Sequence, residues 1–173
     1  MKAYQDASLA PVRRAKALLE EMTLAEKIGQ LNQRLYGFRI YERKCVNGED
    51  TIELSEEFCQ EVEKYSGLGV LYGLYRADPW ADKNYETGLT GVLSKKAYNQ
   101  VQRYVLEHSR LGIPVMMSSE CPHGHQALDG YLLPVNLLAG ATFDPAMVRA
   151  AYRVSGRQLQ NMGVDLALMS MLD

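Results

Sequence analysis

The chain has 173 residues, of which 47% are hydrophobic and 23% are charged, proportions that are typical of a soluble globular domain or part of one. Its 19 Lys and Arg residues stand against 21 Asp and Glu residues, and the formal charge of −2 provides no field for holding a polyanion or an acidic membrane. We therefore expect neither nucleic acid nor a membrane as a partner.

Localisation can be judged only from the termini and the cysteines. No stretch approaches the roughly 20 apolar residues that cross a bilayer, and the start, MKAYQDASLAPVRRA, lacks the apolar centre of a signal peptide. Cys45, Cys59 and Cys121 are odd in number and have no Cys-x-x-Cys spacing, so they predict neither a disulfide framework nor a thiolate zinc site. We expect free thiols and a cytoplasmic protein, or a secreted one if a signal peptide has been removed.

The first third of the chain predicts two helices and an irregular segment. Apolar residues recur at spacings of three and four from Pro11 to Met22, which indicates an amphipathic helix. Thr23 and Glu26 have the spacing of a capping box, so a second helix should begin there and run toward Leu31. Residues 33–50 lack periodicity and predict a loop or a short hairpin.

From residue 55 onward, predicted helices alternate with short apolar segments that are typical of buried strands. Caps at Ser55, Ser94 and Asp144 predict three helices, which run to about residues 64, 111 and 162. The apolar segments are residues 67–73, 113–119 and 164–173, and a long polar loop covers residues 76–93.

This alternation predicts an α/β fold in which helices cover a parallel sheet. A (β/α)8 TIM barrel needs eight strands and about 250 residues, whereas three strands are predicted here. We therefore predict a partial barrel of about the first three β/α units, with residues 1–173 as the N-terminal portion of one incomplete domain. An unfinished sheet leaves an open edge, so we also expect self-association or association with the remainder of the barrel.

Functional groups of parallel β/α folds gather where the strands run out into loops. Three segments meet this condition: residues 76–80, residues 118–125 and Asp173. The middle segment allows two reactive arrangements, a metal site made of Glu120, His123 and His125, and a nucleophile pair of Cys121 with one of these histidines. We favour the simpler alternatives, a turn at His123 and a small buried thiol, and expect neither metal nor cofactor.

Glu120 is the strongest candidate for contact with a ligand. A carboxylate at the end of a barrel strand points into the pocket, where its oxygens can accept hydrogen bonds from sugar hydroxyls. Trp80 can stack on the apolar face of a sugar ring or pack at the rim. Arg76 can contact a ligand too, although an internal ion pair with Asp78 is the favoured role of this Arg-x-Asp motif.

Two long segments of the chain resemble glycoside hydrolase family 3 enzymes. The opening YQDASLAPVRRAKALLEEMTLAEKIGQL is similar to the helix and the MTLEEKIGQL-like phrase that precede the barrel in that family. Residues 109–173 resemble its second and third barrel strands, with Gly-Ile-Pro, an acidic residue before His-Gly, a proline before LAGATFDP, and a GVDL strand that ends in Leu-Asp. The order of these motifs is more specific than any one of them.

The resemblance implies a retaining, exo-acting β-glycosidase such as a β-glucosidase or a β-xylosidase. In such enzymes one carboxylate attacks the anomeric carbon, a second carboxylic acid protonates the leaving oxygen, and water hydrolyses the glycosyl-enzyme intermediate. In the family both groups lie beyond the third strand, so we expect no catalytic residue in this chain and no activity of the chain alone.

Of the family's substrate-binding set, only the acidic residue before His-Gly carries over, and it is Glu120 here where many members have Asp. The candidate substrate-binding residues are therefore Glu120, His123, Trp80 and Arg76, with His123 expected mainly to shape its turn. Two alternatives remain: a non-catalytic sugar-binding or interaction module derived from the same barrel, and a metal-dependent hydrolase.

Overall fold

The computed structural model of the chain describes residues 2–169. Its N-terminal part contains α1 (Pro11–Glu21) and α2 (Leu24–Leu31). The capping box predicted for α2 is present, because the Thr23 hydroxyl accepts a hydrogen bond from the Glu26 N–H and the Glu26 carboxylate accepts one from the Thr23 N–H. Both predicted helices are confirmed.

An antiparallel hairpin follows, made of β1 (Tyr41–Val46) and β2 (Glu49–Leu54). Asn47 and Gly48 connect the strands and have φ values of 53° and 80°. Two successive positive φ angles match the right-handed twist of the strands, and Asn-Gly tolerates them well. The hairpin alternative is therefore confirmed, although its second strand extends beyond residue 50.

The rest of the chain alternates helices with short strands, as predicted. The elements are α3 (Glu56–Tyr65), β3 (Val70–Tyr72), α4 (Gly91–Glu107), β4 (Met116–Glu120), α5 (Asn136–Gly140), α6 (Pro145–Asn161) and β5 (Leu166–Leu168). The predicted caps at Ser55 and Asp144 accept hydrogen bonds from Phe58 N–H and Met147 N–H. The short α5 was not predicted.

The start of α4 differs from the prediction. The helix begins at Gly91 rather than after Ser94, and Ser94 is a buried residue of its first turns. The Thr90 side chain makes no capping hydrogen bond; instead, the Gly91 N–H donates to the carboxylate of Asp129, 38 residues farther along the chain. A helix start that is satisfied from a distant loop has no signature in the local sequence.

Strands β3, β4 and β5 form a parallel sheet in that order, which confirms the α/β class. Tyr72 pairs with Ser118, and Ser118 and Glu120 pair with Leu166 and Leu168. Residues directly opposite each other in neighbouring strands point to the same face of the sheet.

The two faces of this sheet differ in burial. On one face Leu71 and Met117 are buried in a core with residues of α3 and α4 such as Phe58, Val101 and Val105. The other face, apart from the small buried Ser118, carries partly exposed side chains, which include Tyr72, Glu120, Met116, Leu166 and Leu168. The helices therefore cover one face of the sheet and leave the other uncovered.

An ion pair between buried and exposed groups joins the N-terminal helices to the segment after α4. The Glu26 carboxylate, which is buried, accepts hydrogen bonds from Arg110 Nε at 2.9 Å and Nη2 at 2.7 Å. These bonds, together with those from Thr23, lower the pKa of Glu26 to about 2 against the opposing effect of burial. Glu26 thus ties the end of the α4 segment to the start of α2.

Over the described residues, no helix combines the length and the apolar character that a membrane span requires.

Candidate functional site

Glu120 is the last residue of β4, on the uncovered face of the sheet, beside Leu168 of β5. Its side chain is 32% exposed. The carboxylate thus lies at the edge where parallel strands end, partly accessible and partly enclosed by neighbours. This is the location predicted from the sequence.

One oxygen of Glu120 is held by two neighbours on the β3 side. The Tyr72 hydroxyl donates to Glu120 Oε1 at 2.6 Å, and Arg76 Nη1 lies 3.2 Å from the same oxygen. Among the described residues, none donates a hydrogen bond to the second oxygen, Oε2. A carboxylate oxygen with free lone pairs at a strand end can accept a hydrogen bond from a ligand hydroxyl.

Arg76 lies at the centre of a cluster of polar groups. Its Nε donates to Asp78 Oδ2 at 2.9 Å, so the ion pair predicted for the Arg-x-Asp motif is present. Arg76 also donates to the Tyr72 hydroxyl. The Arg76 guanidinium lowers the pKa of Asp78. With Asp78 and Glu120 both ionised and one guanidinium between them, the cluster carries a net charge of −1.

Trp80 borders this cluster and is 49% exposed. The Arg76 guanidinium lies over its ring, 4.6 Å from the centroid, and the rings of Tyr36 and Phe38 meet it edge-on at 5.0 Å. One face of the indole is therefore covered by a cation, which leaves at most the other face for stacking on a ligand.

Tyr72 is the member of this cluster that was not predicted from the sequence. It lies inside the apolar segment of residues 67–73, where a tyrosine is easily taken for a core residue. A signal was available, because the period of two in a strand separates Tyr72 from the buried Leu71 and assigns it to the other face.

The reactive alternatives for residues 118–125 are not supported, because Glu120 is partly exposed on the uncovered face of the sheet whereas His125 is fully buried. His125 lies beside Ser119, whose Oγ is 3.0 Å from His125 Nε2, and both residues are buried. Burial lowers the pKa of His125 to about 4 and raises the pKa of the fully buried Cys121 thiol. A thiol of raised pKa is a poor nucleophile, so the Cys121 pair is disfavoured.

His123 is only partly buried, and its Nε2 lies 3.4 Å from Gln126 Nε2. Its backbone carbonyl accepts a hydrogen bond from Leu133 N–H at 2.7 Å, which closes the loop after β4 and agrees with a role in shaping the turn. Within residues 2–169, no group of three or more His, Cys, Asp or Glu side chains could hold a metal ion. The third predicted segment, Asp173, lies outside the described residues.

The fold and the site together define an α/β protein that presents a carboxylate at the ends of parallel strands, where proteins of this class hold small ligands. Residues 23–173 match the family model described as the glycosyl hydrolase family 3 N terminal domain. The chain therefore belongs to glycosyl hydrolase family 3, and the resemblance seen in the sequence is confirmed.

Two individual proteins are similar to the chain. A protein of Formosa agariphila named "Putative beta-xylosidase" is 28% identical over 165 residues, which are 95% of this chain and 20% of that protein. The structure of a β-glucosidase from Erythrobacter marinus is 26% identical with a TM-score of 0.68, over 96% of this chain and 19% of its own. The chain spans about a fifth of the length of these relatives.

Proposed function

We propose that the chain is the N-terminal part of the barrel of a retaining, exo-acting β-glycosidase. Residues 1–173 would supply about the first three units of a (β/α)8 barrel, and further units would complete the sheet beyond β5. The family membership, the parallel order of β3, β4 and β5, and the fraction of each relative that the chain spans support this proposal.

Within this barrel, Glu120 forms part of the wall of the sugar subsite. The observation that carries the proposal is the partly exposed Glu120 carboxylate at the end of β4, with Oε1 occupied and no donor to Oε2 among the described residues, so that Oε2 can accept a hydroxyl hydrogen. Arg76 forms ion pairs with the Asp78 and Glu120 carboxylates and so fixes their positions. Trp80 presents one face of its ring at the rim of the subsite. His123 supports the loop that follows Glu120.

The substrate class is a β-linked glycoside, with a β-glucoside and a β-xyloside as the two candidates that the names of the relatives suggest. In a retaining mechanism the nucleophilic carboxylate and the acid that protonates the leaving oxygen lie about 5 Å apart across the bond that breaks. We assign neither role to a residue of this chain. The chain alone is therefore expected to bind sugar weakly and to hydrolyse nothing.

Hydrolysis assays with aryl β-glucoside and aryl β-xyloside test this proposal. The isolated chain should release no phenol from either, whereas the full-length protein should cleave at least one and lose about a hundredfold in kcat/KM on Glu120→Gln. The exposed Glu42→Gln serves as the control for loss of one carboxylate. Turnover by the isolated chain that survives mutation of Glu120 would contradict the assignment.

Binding can be followed separately because Trp80 is the only tryptophan of the chain. A sugar that contacts Glu120 should alter the fluorescence of Trp80, which borders the same cluster, and Glu120→Gln should reduce the response. An unchanged response in the variant would argue against Glu120 as a sugar ligand.

A further inference from the structure

The hydroxyl of Tyr72 lies between the guanidinium of Arg76 and the carboxylate of Glu120. We propose that Tyr72 is a positioning residue that holds Glu120 by one oxygen, so that Oε2 alone is presented to a single hydroxyl of the sugar. This inference rests on the proposed function and assigns a role to a residue that does not itself contact the substrate.

The direction of the hydrogen bonds follows from the chemistry of the three groups. A guanidinium can only donate, so the Tyr72 oxygen must accept from Arg76. The single phenolic proton is then left for Glu120 Oε1, at an O–O distance of 2.6 Å, which is in the short range of hydrogen bonds to a carboxylate. The chain of bonds therefore has one polarity, from Arg76 through Tyr72 to Glu120.

The backbone brings these groups together. Tyr72 ends β3 and pairs with Ser118, and Glu120 lies two residues beyond Ser118 on the same face of β4. The phenol ring is long enough to reach this diagonal neighbour. Arg76 approaches from the loop after β3, anchored on its other side by Asp78.

Two further observations fit a Glu120 carboxylate that is held by its Oε1 atom. Partial burial and the hydrogen bond to the Glu120 carboxylate raise the pKa of Tyr72, so the phenol stays protonated at neutral pH. Arg76 Nη1 also forms an ion pair with Glu120 Oε1 at 3.2 Å, so the oxygen that accepts from Tyr72 is held by a second group. Both contacts are made to Oε1, and none of the described residues donates a hydrogen bond to Oε2.

A double-mutant cycle on the full-length protein tests this role. Tyr72→Phe removes only the hydroxyl and should lower kcat/KM for the preferred aryl β-glycoside about tenfold, the usual effect of a lost hydrogen bond to a charged group. Because Tyr72 acts through Glu120, Tyr72→Phe should cause no further loss when it is introduced into Glu120→Gln. Tyr85→Phe, which removes an exposed hydroxyl bonded to the Leu128 carbonyl, is the matched control and should change nothing.

The outcomes separate this inference from the proposed function. If Glu120→Gln leaves kcat/KM unchanged on both substrates, the assignment of Glu120 to the sugar subsite fails. If Glu120→Gln lowers kcat/KM but Tyr72→Phe has no effect, or if the two losses multiply in the double variant, the positioning role is overturned while the proposed function stands. Thermal unfolding of each variant shows whether any loss reflects misfolding.

Discussion

At the scale of single residues, the Glu26 carboxylate shows how a local motif is reused in tertiary structure. Glu26 completes the capping box of α2 and also accepts two hydrogen bonds from Arg110. The capping role can be predicted from the spacing of Thr23 and Glu26. The ion pair of Glu26 with Arg110 cannot be predicted in this way, because 84 residues separate the two.

We predict that Glu26→Gln destabilises the chain by roughly 1 to 2 kcal/mol at neutral pH, since Arg110 is partly exposed and solvent weakens the pair. The pKa of Glu26 is lowered in the folded chain, so its stabilising effect is complete above its ordinary value of 4.5 and is lost as the pH falls toward 2. Urea unfolding at several pH values should show this.

The control for that experiment is Glu20→Gln, an exposed glutamate of α1. The difference in unfolding free energy between the chain and Glu26→Gln should shrink from pH 6 to pH 3, whereas Glu20→Gln should show no such trend. A difference that stays constant with pH would mean that the ionised carboxylate is not what stabilises this junction.

The candidate site was also only partly predictable residue by residue. Glu120 and the Arg76–Asp78 pair follow strand ends and were found from the pattern alone. Tyr72 lies inside an apolar segment and was not predicted. The burial of His125 depends on its contact with Ser119, which follows from the path of the loop after β4 and has no signal in the local sequence.

At the scale of the elements, the order of helices and strands could be predicted because each has a local signal. Apolar periodicity and the caps at Thr23, Ser55 and Asp144 gave most of it. The errors lie where long-range contacts determine the boundary, as at the start of α4, which Asp129 satisfies. The hairpin turn at Asn47-Gly48 had a strong local signal that could have fixed its position.

Close packing between α2 and β3 depends on Gly69. Its N–H donates to Gly29 O at 3.0 Å, and a Cβ at this position would overlap the carbonyl group of Gln30. Gly69→Ala should therefore force the end of α2 away from β3 and destabilise the chain by about 3 kcal/mol, which chemical unfolding can measure.

The same substitution at a glycine of α6 should change the free energy of unfolding in the opposite direction. A Cβ on Gly156 meets open space, and alanine is the better helix former, so Gly156→Ala should stabilise the chain by about 0.5 to 1 kcal/mol. If both glycine variants shifted stability in the same direction, the close approach at Gly69 would not be the cause.

At the scale of the whole molecule, the described sheet has an unpaired edge at β5 and an uncovered face that carries apolar side chains beside the Glu120 cluster. Met116 and Leu166 on that face are 44% and 41% exposed. Such surfaces favour pairing with another copy of the chain or, under the proposed function, with further barrel units. The fold class was predictable from the sequence because each element has a local pattern. The exposed side chains of this face do not identify the surface that packs against them.

We predict that the isolated chain self-associates and that Leu166→Lys raises the monomeric fraction, because a charge on an edge strand resists pairing. Sedimentation velocity at several concentrations measures both. Val92→Lys, at an exposed position of α4, is the control. A monodisperse monomer of the unmodified chain at every concentration would contradict the prediction.

Side chains along β4 point alternately to the two faces of the sheet, and this alternation restricts the number of residues that can connect Gly112 to the strand. Ser119 and Cys121 pack under the helices, and Glu120 between them points to the opposite face. Inserting or deleting one residue between Gly112 and Met116 could shift the strand by one position and exchange these environments, which would bury the acid and expose the thiol. In related proteins we therefore expect this connection to have the same length or to differ by two residues, because a change of two keeps every side chain of the strand on its own face.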